Sequence, residues 1–244
     1  MTRRAVVAQS RAELLLMLRR GENLVVTLAI PLGVLVFFAK LDATVPDGYR
    51  DAVDFLVPGV LALAVMSAAM VSLGIATGFE RRYGVLKRLG ATPLTRRGLI
   101  VAKTATVLVI EIVQVALLIG VGAALGWMVP SGIVAALGIV LVGSIAFAGI
   151  GMLLAGTLRA EANLALANAL FLVLLFLGGM AYPIDKLPAA LEHLAAVLPA
   201  AALSESLRGV LVDGRGFPVG SFVVLVVWAI VMPALAARRF RWEE

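Results

Sequence analysis

The sequence contains no cysteine, which excludes disulfides, thiol catalysis and cysteine-ligated metals. Its single histidine, His193, has no second candidate ligand nearby in the sequence, so we do not expect it to bind a metal or to catalyse a reaction. The phosphate-loop pattern G-x-x-x-x-G-K-[ST] is missing, as are H-E-x-x-H and any supported serine–histidine arrangement. We therefore expect no catalytic residue, no metal site and no cofactor bound by this chain.

Charge is also scarce. Only 15% of the 244 residues are charged, 62% are hydrophobic, and the mean hydropathy is +1.05. Soluble domains carry about 25% charged residues, and a soluble fold of this length has too little interior to hide so much apolar surface. The composition predicts that lipid is the solvent. The length suits one transmembrane domain over residues 1–244, without a separate soluble enzyme.

Long apolar runs predict six membrane helices, and their continuous apolar character excludes the alternating strands of a membrane barrel. The first run is short and contains Pro31, and we expect it to be a retained span rather than a cleaved signal. The fold class predicted is therefore all-α and integral to the membrane. The predicted spans are residues 24–39, 56–79, 104–129, 133–158, 163–181 and 217–237.

The distribution of cations predicts the orientation of these spans. If the N-terminal side is cytoplasmic, 16 Lys and Arg residues lie inside and 5 lie outside. Such an excess is typical of cytoplasmic loops, so both termini are expected in the cytoplasm.

Two regions outside the spans have helical patterns of their own. Residues 1–23 place Val7, Leu14, Leu15 and Leu18 on one face, which predicts an amphipathic helix at the membrane interface; an ordinary juxtamembrane tail is the alternative. Residues 182–216 contain two leucine stripes punctuated by Pro188 and Pro199. Each stripe is too short to cross the bilayer, which predicts two short extracellular re-entrant helices before the sixth span.

Glu111 is an acid inside a predicted span, where an ionisable group is costly and indicates a function by default. It is a candidate for a proton relay or a polar substrate contact, with Gln114 one turn away as a possible hydrogen-bond partner. The alternative is a structural acid that a neighbouring helix satisfies. Asn163 and Asn168 in the fifth span are likewise candidates for a cavity lining or for hydrogen bonds between helices.

The loop at residues 79–103, "FERRYGVLKRLGATPLTRRGLIVAK", gathers seven cations against one acid. Three explanations fit this positive charge: a patch that binds nucleic acid, a signal that orients the protein in the membrane, or a surface that docks a partner protein. Leu86 and Leu89 fall on one side of a predicted short helix that ends before Pro93. A short helix with two leucines and a basic rim favours protein docking. Nucleic acid is not expected as a partner, because Tyr83 is the one aromatic available for stacking within the loop's polar part.

The stretch "ERRYGVLKRLGATPL" resembles the cytoplasmic loop of ABC type-2 exporter permeases, whose pattern is close to E-R-E-x-G-T-L-K-R-L-x-x-T-P. The segments "VPGVL", "GGMAYPIDKLPAALEHLAAVLP" and "LRGVL" are similar to further motifs of the same family. Arg82, Val85 and Ala102 depart from the pattern. The residues that match it are Glu80, Arg81, Gly84, Leu86, Lys87, Arg88, Leu89, Thr92 and Pro93.

The resemblance implies the permease subunit of a bacterial exporter in the plasma membrane, similar to daunorubicin-resistance-type efflux permeases. Such permeases commonly pair as homodimers and bind two copies of a separate ATPase, which holds ATP and Mg. The matching residues would dock that ATPase through a coupling helix in the loop at 80–103. The substrate would be a drug, a polyketide or a lipid, and it would pass between the two protomers. Membrane lipids would surround the pair. The path residues expected from position are Met66, Met70, Glu111, Asn168 and Phe171.

Other functions remain open at this point. A proton-coupled secondary transporter would use Glu111 and need no ATPase. A non-transporting membrane anchor or sensor on the same scaffold would leave the hydrolysis rate of an ATPase unchanged by any substrate. An integral membrane enzyme ranks last, because the sequence lacks a catalytic set.

Overall fold

A computed structural model of the chain describes residues 3–19, 21–40, 49–130, 132–180, 183–212 and 216–243. Among these residues there is no β-strand, which confirms the all-α class. Arg20 and Arg215, which entered the count of cations, lie outside the described residues, as do positions 182 and 213–215 of the predicted outer region. 

The described residues form eleven α-helices, a π-helical segment and a short 3-10 helix. In chain order the α-helices are α1 Arg3–Arg19, α2 Gly21–Lys40, α3 Ala52–Met66, α4 Leu73–Arg82, α5 Val85–Gly90, α6 Arg96–Ala124, α7 Ile133–Thr157, α8 Ala160–Leu177, α9 Ala189–Ala196, α10 Pro199–Leu211 and α11 Val219–Arg239.

Five helices of the described chain are long and apolar enough to cross a membrane. They are Ala52–Arg82, Arg96–Ala124, Ile133–Thr157, Ala160–Leu177 and Val219–Arg239, and they coincide with predicted spans two to six. The first predicted span lies in α2, whose apolar part Thr27–Lys40 is shorter.

The second span is the buried centre of the fold. It runs as one helix through α3, the π-helical segment Ser67–Ser72 and α4, and almost every residue from 55 to 70 is buried. Helices α2, α6, α7, α8 and α10 all contact part of it. A span hydrophobic on every side is expected to lie inside a bundle, which is where this one lies.

Helix α7 approaches its neighbours closely because glycine occurs at the contacts. An ideal Cβ placed on Gly151 would lie 2.6 Å from the carbonyl oxygen of Met70 in the π-helical segment. One placed on Gly149 would lie 2.5 Å from Pro233 Cδ of α11. Small residues let helix backbones approach in lipid, where packing drives association.

The outer region contains the two predicted short helices, α9 and α10, which meet at an angle of 81°. Pro188 directly precedes α9, and Pro199 is the first residue of α10, as the sequence indicates. The two leucine stripes differ, because Leu203 and Leu207 of α10 are fully buried whereas Leu194 of α9 is exposed.

Helix α1 lies along α6. Ser10 Oγ donates a long hydrogen bond of 3.4 Å to Ala102 O of α6, and the side chain of Glu13 is buried on the same side of α1. Val7 and Leu15, two members of the predicted apolar face, are exposed. The helix thus packs on the bundle through Ala5 and Val6 together with Ser10 and Glu13, and it leaves Val7 and Leu15 on its outer side.

Candidate docking site

The short helix α5 forms where the sequence predicts one. Gly84 precedes it with a φ of 72°, a left-handed conformation that favours glycine and lets the chain turn sharply after α4. At the other end, Thr92 Oγ1 donates to Leu89 O at 2.6 Å, which satisfies one of the carbonyls that the helix end leaves open. Pro93 follows, so the helix cannot continue.

The two leucines of α5 do not both face outward. Leu86 is fully buried and Leu89 is half-buried, and both pack against the chain's own core. In this conformation the side chain of Leu86 therefore holds α5 onto the bundle and is not available to a partner. The accessible surface of this part of the loop is formed by Tyr83, Val85, Lys87, Arg88, Gly90, Ala91, Thr92 and Pro93.

Arg81, a residue of the matching motif, is buried and contacts the end of α7. Its guanidinium donates to Ala155 O at 2.7 Å and to Leu158 O at 2.5 Å. The last carbonyls of a helix lack intrahelical partners and carry partial negative charge, so a cation there is favourable. Arg81 thus ties the start of the loop to α7.

Glu80 and Lys103 close the loop at its base. Lys103 Nζ lies 2.7 Å from Glu80 Oε2 and 2.8 Å from Glu13 Oε1 of α1, and the lysine side chain is 2% exposed. A buried cation needs such partners, because the cost of removing it from water is several kcal/mol. In the sequence Lys103 is indistinguishable from the other cations of the loop, since pairing with a residue 90 positions away has no local signal.

Two further ion pairs lie on the outside of the same region. Arg82 pairs with Glu161 at the start of α8, and Lys87 Nζ lies 3.3 Å from Glu243 Oε2. Both pairs are exposed, so each contributes at most about 1 kcal/mol to folding. Arg88, Arg96 and Arg97 are exposed cations beside them.

The expected path residues are not brought together on one surface. Met66 and Met70 are fully buried inside the second span, Asn168 is exposed on α8, and Phe171 is half-buried. Asn168 Nδ2 donates to Leu164 O of its own helix at 2.8 Å. A single copy of the chain therefore exposes some of these side chains and encloses others.

Glu111 is buried between α6 and α7. Ser144 Oγ donates to Glu111 Oε2, and among the described residues none donates a hydrogen bond to the other carboxylate oxygen. Gln114 does not partner Glu111; its Nε2 donates to Thr27 O of α2 at 2.9 Å. Asn163 is similarly buried and donates to Gly74 O at 2.8 Å, which joins α8 to α4.

The chemistry that this region offers is contact with another molecule. Within the described ranges, no group of three or more His, Cys, Asp or Glu side chains is placed to hold a metal ion. What the loop presents is a short helix with exposed cations and a few exposed apolar side chains, anchored to the bundle by Leu86 and Arg81. Such a surface suits another protein.

A comparison with protein families is consistent with this geometry. The family model described as ABC-2 type transporter matches residues 4–212. The matched region runs from α1 to the end of α10 and includes the whole loop between α4 and α6. The comparison with curated proteins found no match.

Proposed function

The chain belongs to the ABC-2 type transporter family, and from this we propose that it is the permease subunit of an ATP-driven exporter. Members of this family are multi-pass membrane components without an ATPase domain, and they generally work with an ABC ATPase. The observation that carries the proposal is the match over most of the chain, together with an ordered loop helix that presents cations outward.

The ATPase would dock on α5 and its flanking residues. Val85, Lys87, Arg88 and Pro93 supply an exposed surface that mixes apolar and basic groups. Glu80, Arg81 and Leu86 would serve that surface from beneath, because their side chains fix the loop to α1, α6 and α7. In this proposal the matching motif has two halves, one that meets the partner and one that holds the helix.

The same anchors supply a route for force. Closing of an ATPase dimer on ATP would displace α5, and Arg81 would pass the displacement to the end of α7. The Glu80–Lys103 pair would pass it to α6 and, through Glu13, to α1. Rigid helices that move as units are the ordinary means of alternating access.

A second copy would complete the path. Helix α8 exposes Leu172, Val173 and Phe176 together with the amide of Asn168. A polar side chain on an otherwise apolar face at membrane depth favours a protein neighbour over lipid. We propose a homodimer in the bacterial plasma membrane, with both termini cytoplasmic, that moves a hydrophobic or amphipathic drug, polyketide or lipid outward.

The test is co-purification after co-expression with an ABC ATPase encoded beside the chain. The exposed double variant Val85→Asp/Arg88→Glu is the informative one, since Leu86 is buried and its substitution would disturb the fold. The variant is expected to lose the ATPase while it remains folded, whereas Glu192→Lys on exposed α9 retains it. Absence of a complex with the native chain would overturn the proposal.

The burial of Glu111 supports a second candidate function, that of a proton-coupled transporter that needs no ATPase. It predicts that Glu111→Gln abolishes export and that export follows a proton gradient. The permease proposal predicts that export needs no proton gradient and stops when the ATPase cannot hydrolyse ATP. Measuring export from membrane vesicles with and without ATP separates the two.

A further inference from the structure

Four residues that follow α11, Phe240, Arg241, Trp242 and Glu243, contact the end of α7 and reach α5. We call residues 240–243 the FRWE segment. They lie beyond the matched family region, which stops at residue 212. Their contacts link the loop helix to the ends of two membrane helices.

The first half of the FRWE segment is anchored on α7. Phe240 is 1% exposed and packs against Gly156, where a side chain would collide with its ring. The backbone N–H of Arg241 donates to Gly156 O at 3.0 Å. This carbonyl lies beside Ala155 O, which Arg81 holds, so the end of α7 is bound by both α4 and the FRWE segment.

The second half of the segment reaches α5. The indole of Trp242 lies over Gly90, and an ideal Cβ on that glycine would be 3.1 Å from Trp242 Cδ2. Glu243 Oε2 lies 3.3 Å from Lys87 Nζ, one turn earlier on the same helix. The rings of Phe240 and Trp242 meet edge to face with centroids 5.7 Å apart, so the anchored half directly supports the half that touches α5.

We propose that the FRWE segment positions α5 for the ATPase, with Trp242 and Glu243 as positioning residues. The inference rests on the proposed function of α5 as the docking helix. A six-residue helix gains little stability from its own hydrogen bonds, so its orientation depends on what packs against it. Leu86 holds α5 from the bundle side, and Trp242 packs beside its last residue, Gly90.

The same contacts would also transmit a displacement of α5 to the membrane helices. Displacement of α5 would move Trp242, which is joined through Phe240 to α7 and by the chain to α11. Helices α7 and α11 pack tightly along their lengths, as Gly149 and Pro233 illustrate. The FRWE segment would therefore carry the motion of one docking loop to two spans at once.

The first test compares removal of the indole of Trp242, which follows α11, with removal of the indole of Trp228, which lies within α11. Trp242→Ala is expected to lower permease-stimulated ATP hydrolysis about two- to tenfold, the range for loss of one aromatic contact, while the ATPase still co-purifies. Trp242→Phe should restore most of the rate. Trp228→Ala is the matched control, because Trp228 Nε1 donates to Val197 O near the outer helices, away from α5.

The second test uses the absence of cysteine. Lys87→Cys/Glu243→Cys is the one thiol pair in that variant and should be joined by a short bis-maleimide in the purified full-length permease, before the ATPase is added. Neither single variant should form the intramolecular product. Charge reversal at Glu243 gives a third readout: Glu243→Lys should reduce stimulated hydrolysis while the ATPase still co-purifies, because Lys87 then faces a like charge.

The outcomes separate this inference from the proposed function. If no ATPase binds the native chain, the proposed function fails before the segment is tested. If the ATPase binds and its complex with Trp242→Ala hydrolyses ATP at the native rate, the FRWE segment does not position α5 and the inference is overturned. Failure of the paired cysteines to react would overturn it as well. Loss of stimulation in both Trp242→Ala and Trp228→Ala would also overturn it, because the effect would then not be specific to α5.

Discussion

Lys103 Nζ lies 2.7 Å from Glu80 Oε2, and these two residues mark the two ends of the loop that carries α5. The ion pair therefore holds the two ends of the loop together. Glu13 adds a third charge from α1, at 2.8 Å from the same nitrogen. The position of α5 relative to the membrane helices depends on this buried group as well as on Leu86.

Replacing Lys103 by methionine is expected to destabilise the protein by about 3 kcal/mol or more, because the Glu13 and Glu80 carboxylates lose the buried cation between them. Lys87→Met is the control, and it should cost less than about 1 kcal/mol since the Lys87–Glu243 pair is exposed. Thermal unfolding in detergent measures both. Equal unfolding temperatures for the two variants would contradict a structural role for Lys103.

Arg208 should not tolerate lysine. It is 1% exposed, donates to Gly179 O and to Glu205 Oε1, and lies 4.2 Å from the Phe55 ring centre. A lysine ammonium cannot reproduce the planar fork and the stacking together, so Arg208→Lys should cost about 2–4 kcal/mol. Arg239→Lys, at an exposed position, should leave the unfolding temperature unchanged. A similar unfolding temperature for the two variants would show that the fork is dispensable.

Ser144 and Glu111 should be coupled energetically. Ser144→Ala removes the hydroxyl that donates to the buried carboxylate and is expected to cost about 1–3 kcal/mol. The double variant Ser144→Ala/Glu111→Met removes both polar partners and should be more stable than Ser144→Ala alone, since no buried oxygen is then left without its donor. A double-mutant cycle from thermal unfolding gives the coupling. Strict additivity would argue against the contact.

Helix α7 offers a matched pair of glycine substitutions. Gly151→Ala should cost about 1–3 kcal/mol, because the added methyl meets the Met70 carbonyl at 2.6 Å and backbone atoms must move. Gly138→Ala meets no atom within 4 Å and should stabilise the helix by up to about 1 kcal/mol through its greater helix propensity. Both are read from unfolding temperatures of purified protein. The reverse order would contradict the close approach of α7 to the second span.

The orientation can be tested on the native background, because the chain has no thiol of its own. A membrane-impermeant maleimide added to intact cells should label Glu192→Cys and leave Arg97→Cys unlabelled until the cells are opened. Both positions are exposed, so differences in labelling report the side of the membrane. Labelling of Arg97→Cys in intact cells would invert the predicted topology.

Much of the fold was accessible from the sequence because membrane spans and helix ends have local signals. Runs of apolar residues predicted five of the long helices, Pro188 and Pro199 predicted where α9 and α10 begin, and Pro93 predicted that α5 stops before it. Each of these signals is contained in a few neighbouring residues. The motif around Glu80 likewise gave the family from the sequence alone.

Which residues of the motif face the bundle and which face outward could not be predicted from the sequence. Which side of α5 meets the bundle depends on how α4 ends, so the sequence assigned Leu86 to a partner although the protein buries it. Lys103 and Arg208 entered the sequence interpretation only as loop cations, because Glu13 and Phe55, which they contact, lie on helices far away in the sequence. Trp242 carried no signal, since its contact with Gly90 joins residues far apart in the chain.

The glycines of α7 have a consequence for how the sequence can vary. Gly149 meets α11, Gly151 meets the second span, and Gly156 meets Phe240, so this helix has no room for a side chain on several of its sides. Substitutions tolerated elsewhere in an apolar span, such as alanine or valine for glycine, are destabilising at these three positions unless the neighbouring segment moves away. Engineering of this permease for new substrates should therefore leave these three glycines unaltered and seek its variation on α8, whose exposed face would line the proposed path between two copies.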